Sequence, residues 1–375
     1  MHVLIPALHR PSQPTGVCRY AANLAQCLAE TISVRQVTLI VGKWQTHYFK
    51  DLFSSEKIKL INVDIENNST SRNLWFLLKL PKLSNQLQPD IVHMSFPFPF
   101  IRTLFSVPII STIHDLYPFE CPENFGYPYV WFNQLFLRLC VLNSHGISCV
   151  SQVTLKELKL YFSSLDKPTD VIYNSVDFSN TRSVAPSQLG NQPEFPFLLW
   201  VAQHRKNKNI DLLLEAYNQL LQARILSAST RLILVGSPGP ETNTLYKQIN
   251  SLGLQERVLM LSSISDHELH WLYQHCNVFV APSSTEGFCI PLAEARYFGC
   301  RVVCSDIPIF REVASLNCVF FDLQLDPIKN LVEAIAQSLK LPCNQHPKED
   351  LFSRAHTAQQ YLKLYEKVSN LSLKS

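Results

Sequence analysis

Glycine is scarce in this chain: 10 glycines stand against 23 prolines in 375 residues. That weighs against tight glycine-rich phosphate loops, and neither a Walker sequence nor a G-x-G-x-x-G run occurs. Gly42 and Gly236 close apolar strands without such a context, so a nicotinamide site has little support. H-E-x-x-H, loop Asp-x-Asp and G-x-S-x-G are absent too, so neither a metal nor a serine nucleophile is expected. Charge of either sign is not in excess. The formal net charge is +3, too small to argue for nucleic acid. The 11 cysteines include no C-x-x-C pair, which favours buried free thiols in a reducing cytosol over zinc or disulfides. Cys300 and Cys304 lie closest, on one face of an expected strand. No apolar run of about 18 residues suggests a membrane span. The start, MHVLIPALHRPSQ, lacks the basic end and long apolar core of a leader.

What is present is strand alternating with helix. Hydrophobic residues make up 46% and charged residues 17%, the balance of a globular chain. A strand at residues 2–8 precedes a helix opened by Gly16, with Val17, Tyr20, Ala21, Leu24 and Leu28 at helical spacing. Strands follow at 37–41, 58–63, 91–94, 108–113, 146–150 and 170–173, with helices at 73–88, 129–143 and 152–162. Residues 183–196, SVAPSQLGNQPEFP, break the composition. The alternation then restarts at 197 and closes with an amphipathic helix over 351–368. The expected layout is an α/β domain over 1–186, a linker over 187–196, a second α/β domain over 197–350, and a closing helix over 351–375. Two such domains imply parallel sheets covered on both faces and a ligand cleft.

Residues 278–313 hold the richest pattern. An apolar strand ends at Ala281, a loop runs through Glu286, and Pro291 opens a helix that stops near Gly299. Amides of Gly287, Phe288, Cys289 and Ile290 fall where a helix begins, a site that suits phosphate. Glu294, in the first helical turn, suits the hydroxyls of a ribose diol. An ordinary βα loop, with Glu294 only compensating helix charge, fits the same pattern. A second cluster, VAQHRKNKNID from Val201, spills Arg205, Lys206 and Lys208 from a strand end, with Asn207 or Asn209 as N-cap. It suits a diphosphate, and equally a solvated basic loop. His114 and Asp115 follow the strand at 108–113 as a third candidate, whereas His93 reads as a core histidine.

These stretches together resemble one family. EGFCIPLAE from Glu286 matches the E-x7-E signature of the group 1 (family 4) retaining glycosyltransferases, which have the GT-B fold. VAQHRKNKNIDLLLEAY from Val201, RLILVGSP from Arg231, RVLMLSSISDHEL from Arg257 and RVVCSDIPIFREV from Arg301 follow in that family's order. So do TGVCRYAANLAQCL from Thr15, TIHDL from Thr112, VSQVTLKEL from Val150, VIYNSVD from Val171 and FSRAHTAQQYLKLYEKV from Phe352.

The resemblance implies two Rossmann-like domains facing across a cleft, the closing helix returning to the first. It also implies transfer of a hexose-type sugar from a nucleotide diphosphate, with retention and without a metal or other cofactor. Arg205 and Lys208 would neutralise the leaving diphosphate. Glu286, His114 and the amides of Gly287, Phe288, Cys289 and Ile290 would meet the donor sugar and phosphate. Glu294 would hold the ribose, and Gly16 would let backbone approach the donor. The acceptor would be a saccharide or a lipid-linked saccharide, in the cytoplasm or at the inner face of a membrane. RNLWFLLKLPK from Arg72 allows contact with an anionic membrane, a core-facing helix being the other reading.

The chain departs from the pattern at several positions. Ala202 and Gln203 stand where glycine and arginine are usual, and Arg205 is displaced. Thr15, Ser175 and Ser263 replace glycines. Such departures keep a second class open: a GT-B-fold nucleotide-sugar-binding or partner protein with weak turnover. An epimerase of related fold fits E-x7-E with RKNK less well.

Overall fold

The computed structural model describes residues 1–9, 16–50, 52–53, 55–122, 126–190, 195–314, 318–342 and 350–372. By contacts the chain divides into two units: Met1–Ser175 with Asp350–Ser375, and Val176–Glu349. The division falls ahead of the expected linker. Residues 181–184 are tied to the second unit: Thr181 Oγ1 lies 2.6 Å from His270 Nδ1, and Val184 N–H donates to the His267 carbonyl.

In the first unit the described strands are β1 (His2–Pro6), β2 (Gln36–Gly42), β3 (Ile58–Val63), β4 (Ile91–Met94), β5 (Ile109–Ile113), β6 (Gly146–Cys149) and β7 (Thr169–Val171). They pair in parallel in the order β3-β2-β1-β4-β5-β6-β7. β1 and β5 are buried along their whole length because helices cover both faces of the sheet. One face packs Val3 and Ile5 against Leu24 and Leu28 of the helix Gly16–Ala29 and Tyr361 and Leu364 of the helix Arg354–Ser372. The other packs Leu4, Val92 and Met94 against Trp75, Phe76 and Cys140.

The expected helix at 73–88 begins earlier. It runs as Ser69–Leu74, a wider π segment over Trp75–Lys79, then Leu80–Leu87. Asn68 caps it by accepting from Ser71 N–H at 2.8 Å. Trp75 and Phe76 turn into the core, so the aromatic part of the Arg72–Lys82 stretch faces the sheet rather than a membrane.

His93 is a core histidine, as its neighbours on β4 suggest. Its Nδ1 lies 2.6 Å from Tyr365 OH and its Nε2 2.8 Å from Thr112 Oγ1. Tyr20 OH joins Thr112 Oγ1 and Tyr361 OH, each at 2.6 Å. This network ties the C-terminal helix to the first sheet. Burial holds the His93 imidazole down at about 3, and that of His9 likewise. In the unfolded chain each has its ordinary value near 6.5, so the unfolded state takes up protons first as pH falls. Stability is therefore full above pH 6.5 and lost on acidification toward pH 3. For His93 alone the loss from pH 7 to pH 5 is expected at roughly 2 kcal/mol. Urea unfolding at the two pH values measures it. A His93→Gln variant should lose less on acidification, and an equal loss would contradict the assignment.

The second unit repeats the scheme with β8 (Phe197–Val201), β9 (Arg231–Val235), β10 (Val258–Leu261), β11 (Val278–Ala281), β12 (Val302–Ser305) and β13 (Cys318–Phe321). Their parallel order is β10-β9-β8-β11-β12-β13. In both units the chain reverses its direction of travel across the sheet beside the first strand. In the second unit that point lies between β8 and β11, where Val278 pairs with Leu198. Ligands of open α/β sheets sit beyond the carboxyl ends of strands at such a point. Cys304 lies in β12, but Cys300 precedes that strand, and both are buried free thiols as expected. Cys300 Sγ lies 3.8 Å from Cys276 Sγ, and Cys304 Sγ lies 3.1 Å from Cys318 Sγ.

Candidate functional site

Because β8 and β11 are neighbours, the loops leaving their carboxyl ends meet. Residues 202–209 follow β8 and residues 282–289 follow β11. Asn207 Nδ2 donates to the Thr285 carbonyl at 3.2 Å, and Ser284 N–H donates to the Asn207 carbonyl at 2.9 Å. Asn207 or Asn209 was expected as an N-cap, and Asn209 takes the position without a side-chain cap bond. It is the residue before the helix Ile210–Gln222, but its carboxamide donates instead to the Pro282 carbonyl at 2.8 Å. Its φ of 47° is left-handed, which asparagine tolerates. Both asparagines therefore stitch the loops together.

At this seam Lys208 Nζ pairs with Glu286 Oε1. Their side chains are only 14% and 9% exposed, so water screens the pair little. Ser283 Oγ also donates to Glu286 Oε1, at 2.9 Å. A cation and an anion thus stand together, both fixed by the loop backbone. Arg205 is exposed, and its Nε donates to Gln203 Oε1 at 2.8 Å. Gln203 Nε2 in turn donates to the Pro238 carbonyl at 3.2 Å. The displaced arginine is therefore held at the mouth of this loop by the residue standing in the usual arginine's place.

The helix Ile290–Tyr297 starts with Pro291 in its first turn and ends before Gly299, whose φ of 66° suits a glycine stop. Cys289, just before it, has φ 67°, a conformation that costs a non-glycine residue roughly 1–2 kcal/mol. Burial first, then the Glu286 charge, pushes its thiol well up, so it is a neutral thiol and not a nucleophile. Phe288 is buried beneath the loop, while Gly287 and Ile290 are half-buried at the helix start. Glu294 is buried in this helix and accepts from Tyr273 OH at 2.7 Å. Glu286 and Glu294, eight positions apart, thus take different partners: a lysine and a tyrosine.

Sequence reasoning missed several supports. Tyr273 and Ser283 carry no motif of their own, and RLILVGSP did not show what its Gly236 is for. Gly236 and Gly239 are required for close approach: a Cβ on either would run into the backbone of Ala202 or His204. That puts the β9 loop directly against the basic loop. Ser263, standing for a usual glycine, has φ 56°. Ser263→Gly is expected to raise stability by about 1 kcal/mol by removing that strain. Thermal unfolding checks it, and no gain would contradict the strain.

The remaining candidates belong to the first unit. His114 follows β5, and its Nε2 lies 2.8 Å from the Ser95 carbonyl. A ring nitrogen facing a carbonyl carries the proton, so Nδ1 keeps the lone pair. Burial holds the imidazole down at about 4, the Ser95 bond opposing, so it is neutral at physiological pH. Its ring stacks on Phe96 and meets the Tyr20 edge. Gly16 opens its helix exposed, and among the described residues nothing lies within 4 Å of a Cβ placed there. Thr15 lies outside the described residues. Among the described residues no His, Cys, Asp or Glu group is arranged to hold a metal.

Comparison with known proteins bears on the family and the fold. The family model described as Glycosyltransferase Family 4 matches residues 14–180, and that described as Glycosyl transferases group 1 matches residues 182–353. The O-antigen chain mannosyltransferase RfbU of Salmonella typhimurium is 26% identical over 338 residues, 88% of each chain. A Campylobacter jejuni relative is 30% identical over 174 residues, 46% of this chain and 45% of its own. It is named N-acetylgalactosamine-N,N'-diacetylbacillosaminyl-diphospho-undecaprenol 4-alpha-N-acetylgalactosaminyltransferase. The solved structure of sucrose-phosphate synthase from Thermosynechococcus elongatus matches with TM-score 0.72 at 17% identity, over 100% of both chains.

Proposed function

We propose, from the premise that this chain belongs to the group 1 glycosyltransferases and has their GT-B fold, that it moves a hexose-type sugar from a nucleotide diphosphate to a saccharide or lipid-linked saccharide, with retention and without a metal. One observation carries the reading: the buried Lys208–Glu286 pair at the seam of two loops beyond the carboxyl ends of β8 and β11. Breaking a glycosyl–phosphate bond leaves charge on the diphosphate. Fixed cations aimed at that charge are the main electrostatic help a protein can give. Lys208 is fixed in this way, and exposed Arg205, held by Gln203, stands on the same loop.

In this reading Glu286 orients the donor sugar as it orients Lys208. Glu294 accepts from the ribose hydroxyls while Tyr273 holds its other oxygen. The amides of residues 287–290 meet the phosphate at the helix start. The leaving phosphate takes the acceptor proton on the same face of the sugar, so no protein nucleophile is required. The two acids are then not the acid and nucleophile of a glycoside hydrolase. RfbU is named for mannosyl transfer and the Campylobacter relative for a diphospho-undecaprenol substrate. Those names favour a mannosyl donor and a lipid-linked glycan acceptor, handled at the cytoplasmic face of a membrane.

A second reading, a nucleotide-sugar-binding partner without turnover, is favoured by the engagement of Arg205 with Gln203. Incubation with uridine, guanosine and adenosine diphosphate sugars, mannosyl donors first, separates the two. The enzyme reading expects slow release of one nucleotide diphosphate, unchanged by a chelator and with the anomeric configuration retained by NMR. Binding of a donor without release under any acceptor would support the partner reading instead.

A further inference from the structure

We infer that the first unit docks on an anionic lipid bilayer through the outward face of the helix Tyr129–Asn143 and the two segments beside it. The proposed lipid-linked acceptor gives the contact its use, and in that respect it rests on the functional reading. The surface itself stands on separate observations.

The inner side of this helix is satisfied: Leu137, Cys140 and Val141 are buried in the first unit. Its outer side is apolar as well. Trp131 is 63% exposed, Phe132 53% and Leu142 60%. Single exposed apolar residues are ordinary, but a run of them on one helix face marks a contact surface. The helix YVWFNQLFLRLCVLN has no acid and one cation, Arg138.

The patch continues sideways. Arg102 N–H donates to Asn143 Oδ1 at 3.1 Å, which seats the 101–104 turn, with exposed Ile101 and Leu104, at the helix end. Asn85 Nδ2 donates to the Leu104 carbonyl at 3.1 Å, which joins the helix Leu80–Leu87 to the same turn. Both helices contribute to the apolar cluster on one face of the sheet, so their outer sides form one layer.

Charge decides the occupant. Lys79, Lys82, Arg102 and Arg138 are exposed on these segments. No acid occurs between Glu66 and Asp90, between Asp90 and Asp115, or between Glu123 and Glu157. A second copy of the chain would set this cationic fringe against itself, because a two-fold contact is self-complementary. An anionic bilayer meets it with opposite charge and takes the aromatic rings at headgroup depth. Among the described residues no helix is long and apolar enough to cross a membrane, so the helix lies on the surface.

The test is sedimentation of the full chain with phosphatidylglycerol-containing vesicles and with neutral phosphatidylcholine vesicles. Pelleting is expected with the first, weakened by salt and weak with the second. Trp131→Ala with Phe132→Ala removes two exposed side chains, leaves the melting temperature unchanged, and is expected to weaken partition by about tenfold or more. Lys79→Glu with Lys82→Glu should abolish the preference for anionic lipid. No pelleting of the parent chain overturns the proposal, as does equal pelleting of the alanine variant. A dimer in solution that the alanine variant dissolves also overturns it, in favour of a second copy. Nucleotide diphosphate binding, measured on the same samples, keeps the two ideas apart. Binding without pelleting sinks the surface and spares the donor site, and pelleting without binding does the reverse.

Discussion

Lys208→Ala is expected to lower the rate of sugar transfer by about 10²–10³-fold, since one lost donor to developing charge typically costs that much. The loss should fall on kcat and kcat/KM together, because the diphosphate charge grows as the glycosyl bond breaks. The same change leaves Glu286, its side chain only 9% exposed, without its cation. Removing one partner of a buried pair costs about 3–5 kcal/mol of stability. A double change, Lys208→Met with Glu286→Gln, keeps a similar volume without an unpaired charge. It should recover much of the melting temperature and none of the transfer. If it recovers transfer as well, Lys208 serves only the fold. Arg205→Ala should cost less, since Arg205 is exposed where Lys208 is enclosed.

Glu294→Ala is expected to raise the nucleotide dissociation constant by about 10²-fold, the worth of two charge-assisted hydrogen bonds to a ribose diol. Here the effect should appear in KM more than in kcat, because the ribose is held equally before and during the reaction. Glu294 is buried and Tyr273 OH donates to it at 2.7 Å. Tyr273→Phe removes only that support and should weaken nucleotide binding by roughly tenfold or less. A 2′,3′-dideoxy nucleotide should bind the parent chain as poorly as the normal nucleotide binds Glu294→Ala. If Glu294→Ala still discriminates between the two nucleotides, the ribose is held elsewhere.

Much of this site could be read before the fold. Hydrophobic runs at Val278–Ala281 and Phe197–Val201 marked two buried strands, and Pro291 with Gly299 bracketed the helix that carries Glu294. These are local signals, and local signals survive in sequence. What the sequence did not carry is pairing. That Lys208 meets Glu286 follows from β8 lying beside β11, a contact between residues far apart in the chain. Tyr273 and Ser283 have no distinguishing neighbours in sequence and acquire meaning only from where their hydroxyls end. The helix Tyr129–Asn143 was legible as a helix, but an apolar helix does not announce which side faces water. The stretch from Arg72 to Lys82 mixed aromatics with cations and drew attention for that reason. Its Trp75 and Phe76 proved to be core, whereas Tyr129, Trp131 and Phe132 are exposed on the helix that carries almost no charge.

The departures from the family pattern also gain a physical meaning. Gln203 does not leave a gap where arginine is usual. Its carboxamide bridges Arg205 and the Pro238 carbonyl, in a turn whose glycines permit the approach. Ser263 has a left-handed backbone, φ 56°, a conformation that glycine adopts without strain.

The most direct test is titration calorimetry of the unmodified chain with uridine, guanosine and adenosine diphosphates, repeated on Lys208→Ala and Glu294→Ala. One of the three nucleotides should bind the unmodified chain, in the absence of any divalent cation, and both variants should bind it far more weakly. Failure of all three to bind, or equal binding by both variants, would contradict a donor site at the seam of the two loops.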